Sequence, residues 1–309
     1  MTTKRVLSID GGGIRGIIPS MVLAHIEKQT RVPARELFDL IVGTSTGGII
    51  ALGLSHPGSE RPMKFAARRL VKLFEEQGPI IFDQSLWKKV RSIGGILEES
   101  YSHELLQSIL EQHFGSSLME QCLVPTMVTS YDIKNRKSVF IKSWVAKYSG
   151  ILCSSAARAT SAAPTFFRPA ELTWDNATKS LIDGAIFINS PSVSAYAEAC
   201  ELFKNKSSIK VLSLGTGEVT DPVQNEAKTY RSNALIVMTL LDSIFDGVSK
   251  AADKQMTSFL GSNYLRLQTR LHDASDDIDD ASKKNLNALK DAARDMIKQN
   301  WTAIERFFS

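Results

Sequence analysis

A serine between two glycines is the first feature of this sequence that could carry out a reaction. Residues 43–47 read Gly-Thr-Ser-Thr-Gly, so Ser45 lies in a G-x-S-x-G pattern. The pattern separates an apolar, strand-like stretch, 37–42, from a helix-like stretch of small and apolar residues, 46–54. On such a strand–turn–helix, a serine exposes its hydroxyl above the sheet, and the helix N-terminus favours negative charge. The pattern therefore predicts a nucleophile for acyl transfer, and a serine that only caps a helix is the simpler alternative.

A second glycine-rich segment, residues 10–16, reads Asp-Gly-Gly-Gly-Ile-Arg-Gly and follows the first predicted strand. Glycine lets the backbone turn tightly and direct its N–H groups towards a negative ligand. We expect the amides of Gly12 and Gly13 to bind the oxyanion that forms when Ser45 attacks a carbonyl carbon. One such donor lowers the barrier by about 3 kcal/mol. Arg15 would either add positive charge at this position or brace the loop.

The same loop could take a different ligand, because Gly11, Gly13 and Gly16 match the G-x-G-x-x-G pattern of dinucleotide-binding proteins. That pattern also needs an acidic residue at the end of the second strand. Here the strand ends in residues 42–44, and its acidic residue, Asp39, lies near its start. A phosphate-binding P-loop would need a Lys-Ser/Thr pair after the last glycine, and none follows. Both departures favour a different anion as the ligand of this loop. A dinucleotide-dependent oxidoreductase and a nucleotide-sensing scaffold without turnover are the competing hypotheses to an acyl hydrolase.

The proton of the Ser45 hydroxyl needs a base, and the sequence offers two solutions. Asp183 ends an apolar run and precedes Gly184, so we expect it at a strand tip, where a carboxylate could act alone. His272 gives the order Ser, Asp, His of α/β-hydrolases, but an acidic run follows it whose expected role is to cap the last helix. The histidines expected to be structural are His25, His56, His103 and His113. Spacing alone leaves Asp183 acting alone and an Asp183–His272 pair both open.

The composition excludes a collagen, a disordered chain and a coiled coil. With 309 residues, 43% of them hydrophobic and 23% charged, the chain has the composition of an ordinary globular protein. Its net charge of +4 is too small to indicate nucleic-acid binding, although it is compatible with a weak preference for anionic surfaces. Three distant cysteines, Cys122, Cys153 and Cys200, form neither a disulfide framework nor a zinc motif. Because we find no signal peptide and no membrane-spanning run, we expect a cytoplasmic protein that contacts the inner membrane peripherally when it acts.

Strands that alternate with helices must position these residues. The apolar stretches predict strands over 5–10, 37–42, 124–130, 138–141 and 209–214, and helices over 14–29 and 46–54. Such alternation is typical of an α/β fold with a mostly parallel sheet, in which ligands bind beyond the carboxyl ends of the strands. Helical spacing predicts a last helix with an apolar stripe of Leu286, Leu289, Ala293, Met296, Ile297, Trp301, Ile304 and Phe308. We expect one domain over 1–309, with a motif-bearing core of about 5–217 and a helical part of about 228–309.

Four motifs, in this order, resemble those of bacterial patatin-like phospholipases. They are residues 10–16, 43–47, 161–167 and 183–185. Residues 278–282 and the helix after them also resemble the C-terminal region of that family, so the resemblance covers nearly the whole chain. Two departures are visible. Ala185 stands where many members have a second glycine, and residues 189–191 read Asn-Ser-Pro rather than Asn-Asn-Pro.

The resemblance implies a serine lipid acyl hydrolase with a serine–aspartate dyad and no catalytic histidine. It makes Ser45 the nucleophile and Asp183 the base, and it leaves His272 without a catalytic role. The implied oxyanion hole is formed by Gly11, Gly12, Gly13 and Arg15. The implied supporting residues of the motifs are Gly16, Gly43, Gly47, Gly184 and Ala185. The implied fold is a three-layer α/β/α sandwich, and the implied reaction, phospholipase A cleavage of membrane phospholipids, needs no metal or cofactor.

Membrane access and regulation are further expectations. The segment 82–93 has helical spacing, with apolar, aromatic and basic residues that include Phe82, Leu86, Trp87, Lys88, Lys89, Val90, Arg91 and Ile93. Such a helix suits anionic headgroups, and an ordinary surface helix is the simpler interpretation. Some bacterial proteins that this chain resembles are antiviral effectors activated by a cyclic nucleotide, and the layout of the chain is compatible with such an activator. A housekeeping lipase or a toxin delivered into host cells fits the same motifs, and a homodimer is a further expectation.

Overall fold

The structure is a computed structural model that describes residues 3–58, 66–83, 100–204, 209–218 and 233–309, with the backbone alone for 233–242. The strands of its sheet are β1 (Lys4–Ile9), β2 (Leu40–Thr44), β3 (Thr126–Asp132), β4 (Lys137–Lys142), β5 (Ala170–Trp174), β6 (Ala177–Asp183), β7 (Ile209–Leu214) and β8 (Tyr264–Leu267). The helices are α1 (Ile17–Thr30), α2 (Ala34–Leu37), α3 (Thr46–Ser55), α4 (Ala67–Ile81), α5 (His103–Phe114), α6 (Cys153–Thr160), α7 (Ser192–Phe203), α8 (Asn233–Leu260) and α9 (Lys283–Phe308).

The sheet is parallel at its centre and antiparallel on one side. Strands β3, β2, β1, β7 and β8 are neighbours in that order, and each pair runs parallel. Strands β4 and β6 pair antiparallel with β3, and β5 pairs antiparallel with β6. A central strand such as β2 is buried along its whole length because helices cover both faces of the sheet. The predicted α/β fold with a mostly parallel central sheet is therefore confirmed.

Two helical layers complete the three-layer sandwich. On one face, α1, α3 and α9 share a hydrophobic cluster with Leu7 of β1. On the other face, Ala195 of α7 and Met256 of α8 pack against Val6 of the same strand. Because successive side chains of a strand point to opposite faces, one short apolar strand contributes to both layers.

The second strand begins later than the sequence pattern predicted. It covers Leu40–Thr44 rather than 37–42, because Leu37 belongs to the single helical turn α2. Pro33 precedes that turn, and its fixed φ is compatible with a helix start. Strands β5 and β8 are missing from the sequence prediction. β5 alternates buried and exposed residues at the edge of the sheet, and β8 has only four residues.

The last helix joins the C-terminal part of the chain to the core. Five residues of the predicted stripe are buried, and Ile297, Trp301 and Phe308 are partly buried and pack against the same cluster. Trp301 contacts His25 of α1 edge-on at a ring-centroid distance of 4.8 Å. Ser282 caps this helix, since its hydroxyl accepts the Asn285 N–H at 3.2 Å. The prediction that the acidic run caps the helix is therefore wrong. Among the described residues, this helix shares one hydrophobic cluster with β1, α1 and α3.

Three further expectations concern membrane-spanning helices, the amphipathic segment and the cysteines. None of the described helices combines the length and the apolar character that crossing a membrane requires. From residue 84 onward, the predicted amphipathic segment lies outside the described residues. The three cysteines are free thiols, as their spacing predicted.

Candidate active site

The pairing of β3 explains how Ser45 and Asp183 come together. Because β4 pairs along one edge of β3, β2 and β6 share the other edge. Thr44, the last residue of β2, lies beside Thr129, and Asp183, the last residue of β6, lies beside the next residue, Ser130. The two strands thus approach each other end to end. The turn after β2 delivers Ser45 to the carboxylate of Asp183.

Ser45 occupies a strained turn between β2 and α3. Its φ is 55° and its ψ is −124°, a conformation that residues other than glycine rarely adopt. The Ser45 N–H donates to the Thr160 hydroxyl at 2.9 Å, and its carbonyl oxygen accepts the Gly48 N–H at 2.8 Å. Gly47 is needed because a β-carbon there would overlap the Ile9 carbonyl oxygen. The main chain of the turn is thus held by its neighbours, and the Ser45 hydroxyl is left to bond Asp183.

Asp183 is a buried carboxylate with two hydrogen-bond donors. Only 2% of the residue is exposed. It accepts hydrogen bonds from the Ser45 hydroxyl and from the Ala185 N–H, the latter at 2.8 Å. Burial raises the pKa of Asp183 to about 7, because the loss of water disfavours the charged form more than these two hydrogen bonds favour it. A carboxyl group with this pKa can exchange a proton near neutral pH, as a general base must.

The glycine loop lies beside this pair. A β-carbon on Gly11 would lie 3.2 Å from the Ser45 Cβ. The Gly11 N–H donates to the Asn189 carbonyl oxygen at 3.1 Å, so it is not available as the oxyanion donor that the resemblance implied. Gly13 has a φ of +57°, which favours glycine. Within the described residues, the amides of Gly12 and Gly13 donate to no protein group, and these two donors stay available to a negative oxygen.

Contacts within and beside the glycine loop keep it in place. The Ile14 N–H donates to the Ile278 carbonyl oxygen at 2.8 Å, so the segment before α9 packs against the loop. Nε of Arg15 donates to the Gly12 carbonyl oxygen at 3.4 Å. Of the two roles expected for Arg15, this contact favours bracing the loop.

An apolar cavity opens beside Ser45 and Gly13. Its wall is built by α3, α4 and α5, by the motif 161–167 and by the segment before α9. The lining side chains include Ile49, Leu73, Phe74, Leu110, Phe166 and Ile278. Such a wall suits an aliphatic chain, because removing apolar surface from water is worth roughly 25 cal/mol per Å². The nucleophile candidate therefore lies next to a site for hydrocarbon.

Comparison with known proteins now assigns the family. The family model described as patatin-like phospholipase matches residues 7–196, which is more than half of the chain. The chain belongs to the patatin-like phospholipase family. It is therefore a hydrolase that acts on ester bonds of lipids, and the dinucleotide alternative does not hold. In agreement, Asp39 bonds Lys4 Nζ at 2.7 Å, near the start of the strands and away from the glycine loop.

Individual relatives cover most of this patatin-like chain. Patatin-like protein 2 of Oryza sativa subsp. indica is 30% identical over 97% of this chain and 85% of its own length. Patatin-08 of Solanum tuberosum is 31% identical over 95% of this chain and 84% of its own length. Among solved structures, VipD from Legionella pneumophila aligns with a TM-score of 0.44 at 11% identity, over 96% of this chain and 67% of that chain. That last likeness is too low to add to the assignment.

No hydrogen bond or ring contact joins a histidine to Ser45 or Asp183 in the part of the patatin-like chain that is described. His56 and His113 lie together at the far end of α3, with ring centroids 5.7 Å apart. Burial lowers the pKa of each to about 4, so both are neutral near pH 7. His272 is exposed on the segment before α9. The structure therefore favours Asp183 without a histidine over the Asp183–His272 pair.

A buried ion pair anchors the glycine loop to β8. Arg266 Nη2 donates to the Asp10 carboxylate at 2.6 Å, and Asp10 is only 2% exposed. Arg266 also donates to the Ser213 hydroxyl at 2.8 Å, and the Ser190 hydroxyl bonds Asp10. The Asn-Ser-Pro departure from the family pattern thus supports the glycine loop. Sequence reasoning missed Arg266, as it missed Thr160, because nothing in the local spacing marks either residue.

Replacing Arg266 by methionine should destabilise the fold by about 3–5 kcal/mol, because the Asp10 carboxylate would stay buried without its counter-charge. Urea-induced unfolding measures this free energy. The double variant Asp10→Asn/Arg266→Met should recover part of the loss, because a neutral amide is less unfavourable to bury. Simply additive losses in the double variant would show that the two side chains do not act as a pair.

Proposed function

We propose that this chain is an enzyme of the phospholipase A type, which cleaves fatty-acyl esters of membrane phospholipids with Ser45 as nucleophile and Asp183 as general base. One observation carries the proposal. The Ser45 hydroxyl donates to a buried carboxylate whose pKa is raised to about 7, beside an apolar cavity. The family assignment supports lipid esters as the substrate class.

In the acylation step, Asp183 accepts the hydroxyl proton while Ser45 Oγ attacks the ester carbonyl carbon. The carbonyl oxygen becomes negative, and the amides of Gly12 and Gly13 donate hydrogen bonds to it. When the tetrahedral intermediate collapses, the bond between the carbonyl carbon and the ester oxygen breaks. Protonated Asp183 gives its proton to the departing oxygen, so a lysophospholipid leaves and the acyl group stays on Ser45.

In the deacylation step, a water molecule gives a proton to Asp183 and attacks the acyl carbon. The same two amides bind the oxyanion, and Ser45 Oγ leaves with the proton that Asp183 returns. A fatty acid is released and the free enzyme is restored. A carboxyl group with a pKa of about 7 is suited to act as base and acid in turn, so the scheme needs neither histidine nor metal nor cofactor.

Incubation with phospholipid vesicles tests the proposed activity. From diacyl phospholipids we expect lysophospholipid and free fatty acid in equal amounts, quantified by mass spectrometry. A matched diether phospholipid has the same headgroup and chain length but no ester bond, and it should yield no product. If folded protein releases no fatty acid from any headgroup class, either alone or with cyclic nucleotides added, the proposal does not hold.

Four finer features stay predictions: activation by a cyclic nucleotide, an antiviral role, a homodimer, and peripheral association with the inner membrane. The vesicle assay can be repeated with cyclic nucleotides added. A rate that rises only with the nucleotide would support a regulated effector, and a rate that is the same without it would favour a constitutive lipase.

A further inference from the structure

A buried hydroxyl next to the nucleophile has no hydrogen-bond partner. Thr46, the first residue of α3, is 2% exposed, and its Oγ1 bonds to no group in the part of the chain that the structure describes. Most buried side-chain polar atoms in proteins have a partner, because burial of an unbonded hydroxyl is unfavourable. Such an exception inside a reactive site points to a ligand that supplies the missing partner.

The Thr46 hydroxyl lies between the nucleophile and the glycine loop. A β-carbon added to Gly16 would overlap Thr46 Oγ1, so this oxygen sits against the last glycine of the loop. Thr46 lines the same cavity as Ser45 and Gly13. The hydroxyl thus contacts the same loop whose Gly12 and Gly13 amides are the candidate oxyanion donors.

The other hydroxyl groups of the cavity wall, those of Ser45 and Ser161, already have hydrogen-bond acceptors. Ser45 donates to Asp183, and Ser161 donates to the Ala157 carbonyl oxygen at 2.7 Å. The remaining side chains of the described wall are apolar. The described wall therefore offers the Thr46 hydroxyl no acceptor, and a bound molecule could provide one.

We propose that Thr46 Oγ1 donates a hydrogen bond to the carbonyl oxygen of the ester that Ser45 attacks. This inference rests on the proposed function. An aliphatic acyl chain has no hydrogen-bonding atoms, so the ester is the part of the substrate that can satisfy a hydroxyl beside the nucleophile. Because the hydrogen bond strengthens as the oxygen becomes negative, Thr46 acts as a catalytic residue, a third donor beside Gly12 and Gly13.

Thr46→Val tests this role, because valine has nearly the same shape and lacks the hydroxyl. We expect kcat/KM for a diacyl phospholipid to fall by a factor on the order of 10², as for the loss of one oxyanion donor, mostly through kcat. The Tm of the free enzyme should stay the same or rise, because the variant removes a buried polar atom that has no partner. A purely structural hydroxyl would instead give a lower Tm.

Thr126→Val is the matched control. Thr126 is fully buried at the start of β3, and its hydroxyl is bonded to Ser55 Oγ at 2.6 Å and to the Val124 carbonyl oxygen at 2.8 Å. The same substitution there removes a hydroxyl that has partners and lies away from the cavity. We expect a lower Tm and an unchanged kcat/KM, the reverse of the result for Thr46→Val.

Thr46→Ser and Thr46→Ala keep the test decisive if valine does not fit, because these two variants differ only in the hydroxyl. The serine variant should stay within about 3-fold of wild type, and the alanine variant should fall by a factor on the order of 10². Equal activity of the serine and alanine variants, or a Thr46→Val variant that keeps both the Tm and the activity of wild type, would overturn the inference. Activity that survives in Ser45→Ala would instead overturn the proposed function, so the two failures are distinguishable.

Discussion

Replacing Ser45 by alanine should lower kcat/KM for lipid ester hydrolysis by a factor on the order of 10⁶, the size of loss that follows removal of the nucleophile from a serine hydrolase. Alanine has no oxygen that can form the acyl-enzyme. The fold should persist, because the bonds of residue 45 to Thr160 and Gly48 use main-chain atoms. Fatty-acid release from diacyl vesicles measures the effect.

Ser55→Ala is the control for that variant. Ser55 lies at the other end of the same helix, is fully buried, and donates its hydroxyl to the Ala51 carbonyl oxygen at 2.7 Å. Its loss should lower stability by about 1 kcal/mol and leave the rate unchanged. A folded Ser45→Ala variant that keeps more than about 1% of the wild-type rate would exclude Ser45 as nucleophile.

Replacing Asp183 by asparagine should lower kcat/KM by a factor on the order of 10⁴, the upper end of what a positioned general base contributes. The amide keeps the size of the side chain and can still accept a hydrogen bond from Ser45, but it cannot take up the proton. The assay with diacyl vesicles applies here as well. An asparagine variant with near-normal activity would mean that another group is the base.

The pH dependence of the wild-type enzyme follows from the raised pKa of Asp183. The base is the ionised carboxylate, so kcat/KM should increase with pH, with a midpoint of about 7, and level off above it. A base drawn from the buried pair His56 and His113 would give a midpoint of about 4. A profile that is flat from about pH 5 to about pH 9 would contradict the role of Asp183.

Burial of Asp183 also predicts how stability changes with pH. The pKa is about 7 in the folded chain against an ordinary value of 3.8, so the folded state binds this proton more tightly than the unfolded state. The resulting stabilisation is full below pH 3.8 and is lost as the pH rises through about 7. Asp183→Asn lacks this loss, so above pH 7 its free energy of unfolding should exceed that of wild type by on the order of a few kcal/mol. Parallel pH profiles in urea unfolding would contradict this expectation.

Local sequence patterns were sufficient to predict most of the fold and to mark Ser45 and Asp183 as candidates, and the family resemblance then favoured Asp183 without a histidine. Gly47 permits the close approach of the nucleophile turn to β1, and this contact explains why the G-x-S-x-G pattern needs its second glycine. Asp183 was marked by an apolar run that ends before a glycine. The structure joins Ser45 and Asp183 by a hydrogen bond, and their catalytic roles stay predictions.

The supporting contacts could not be predicted, because they join residues that are distant in sequence. Thr160 holds the Ser45 amide from 115 positions away, and Arg266 reaches Asp10 from 256 positions away. Periodic patterns inform only about neighbours along one helix or strand. The expectation that Gly11 is an oxyanion donor failed for the same reason, since its acceptor lies in the segment after β6.

The adduct of a fluorophosphonate probe, located by tandem mass spectrometry, tests the pairing of Ser45 with Asp183 most directly. We predict that Ser45 is the labelled residue, that its labelling rate increases with pH through about 7, and that this rate falls by a factor on the order of 10⁴ in Asp183→Asn. An adduct on a different serine, or labelling of Ser45 at the wild-type rate in Asp183→Asn, would contradict the dyad.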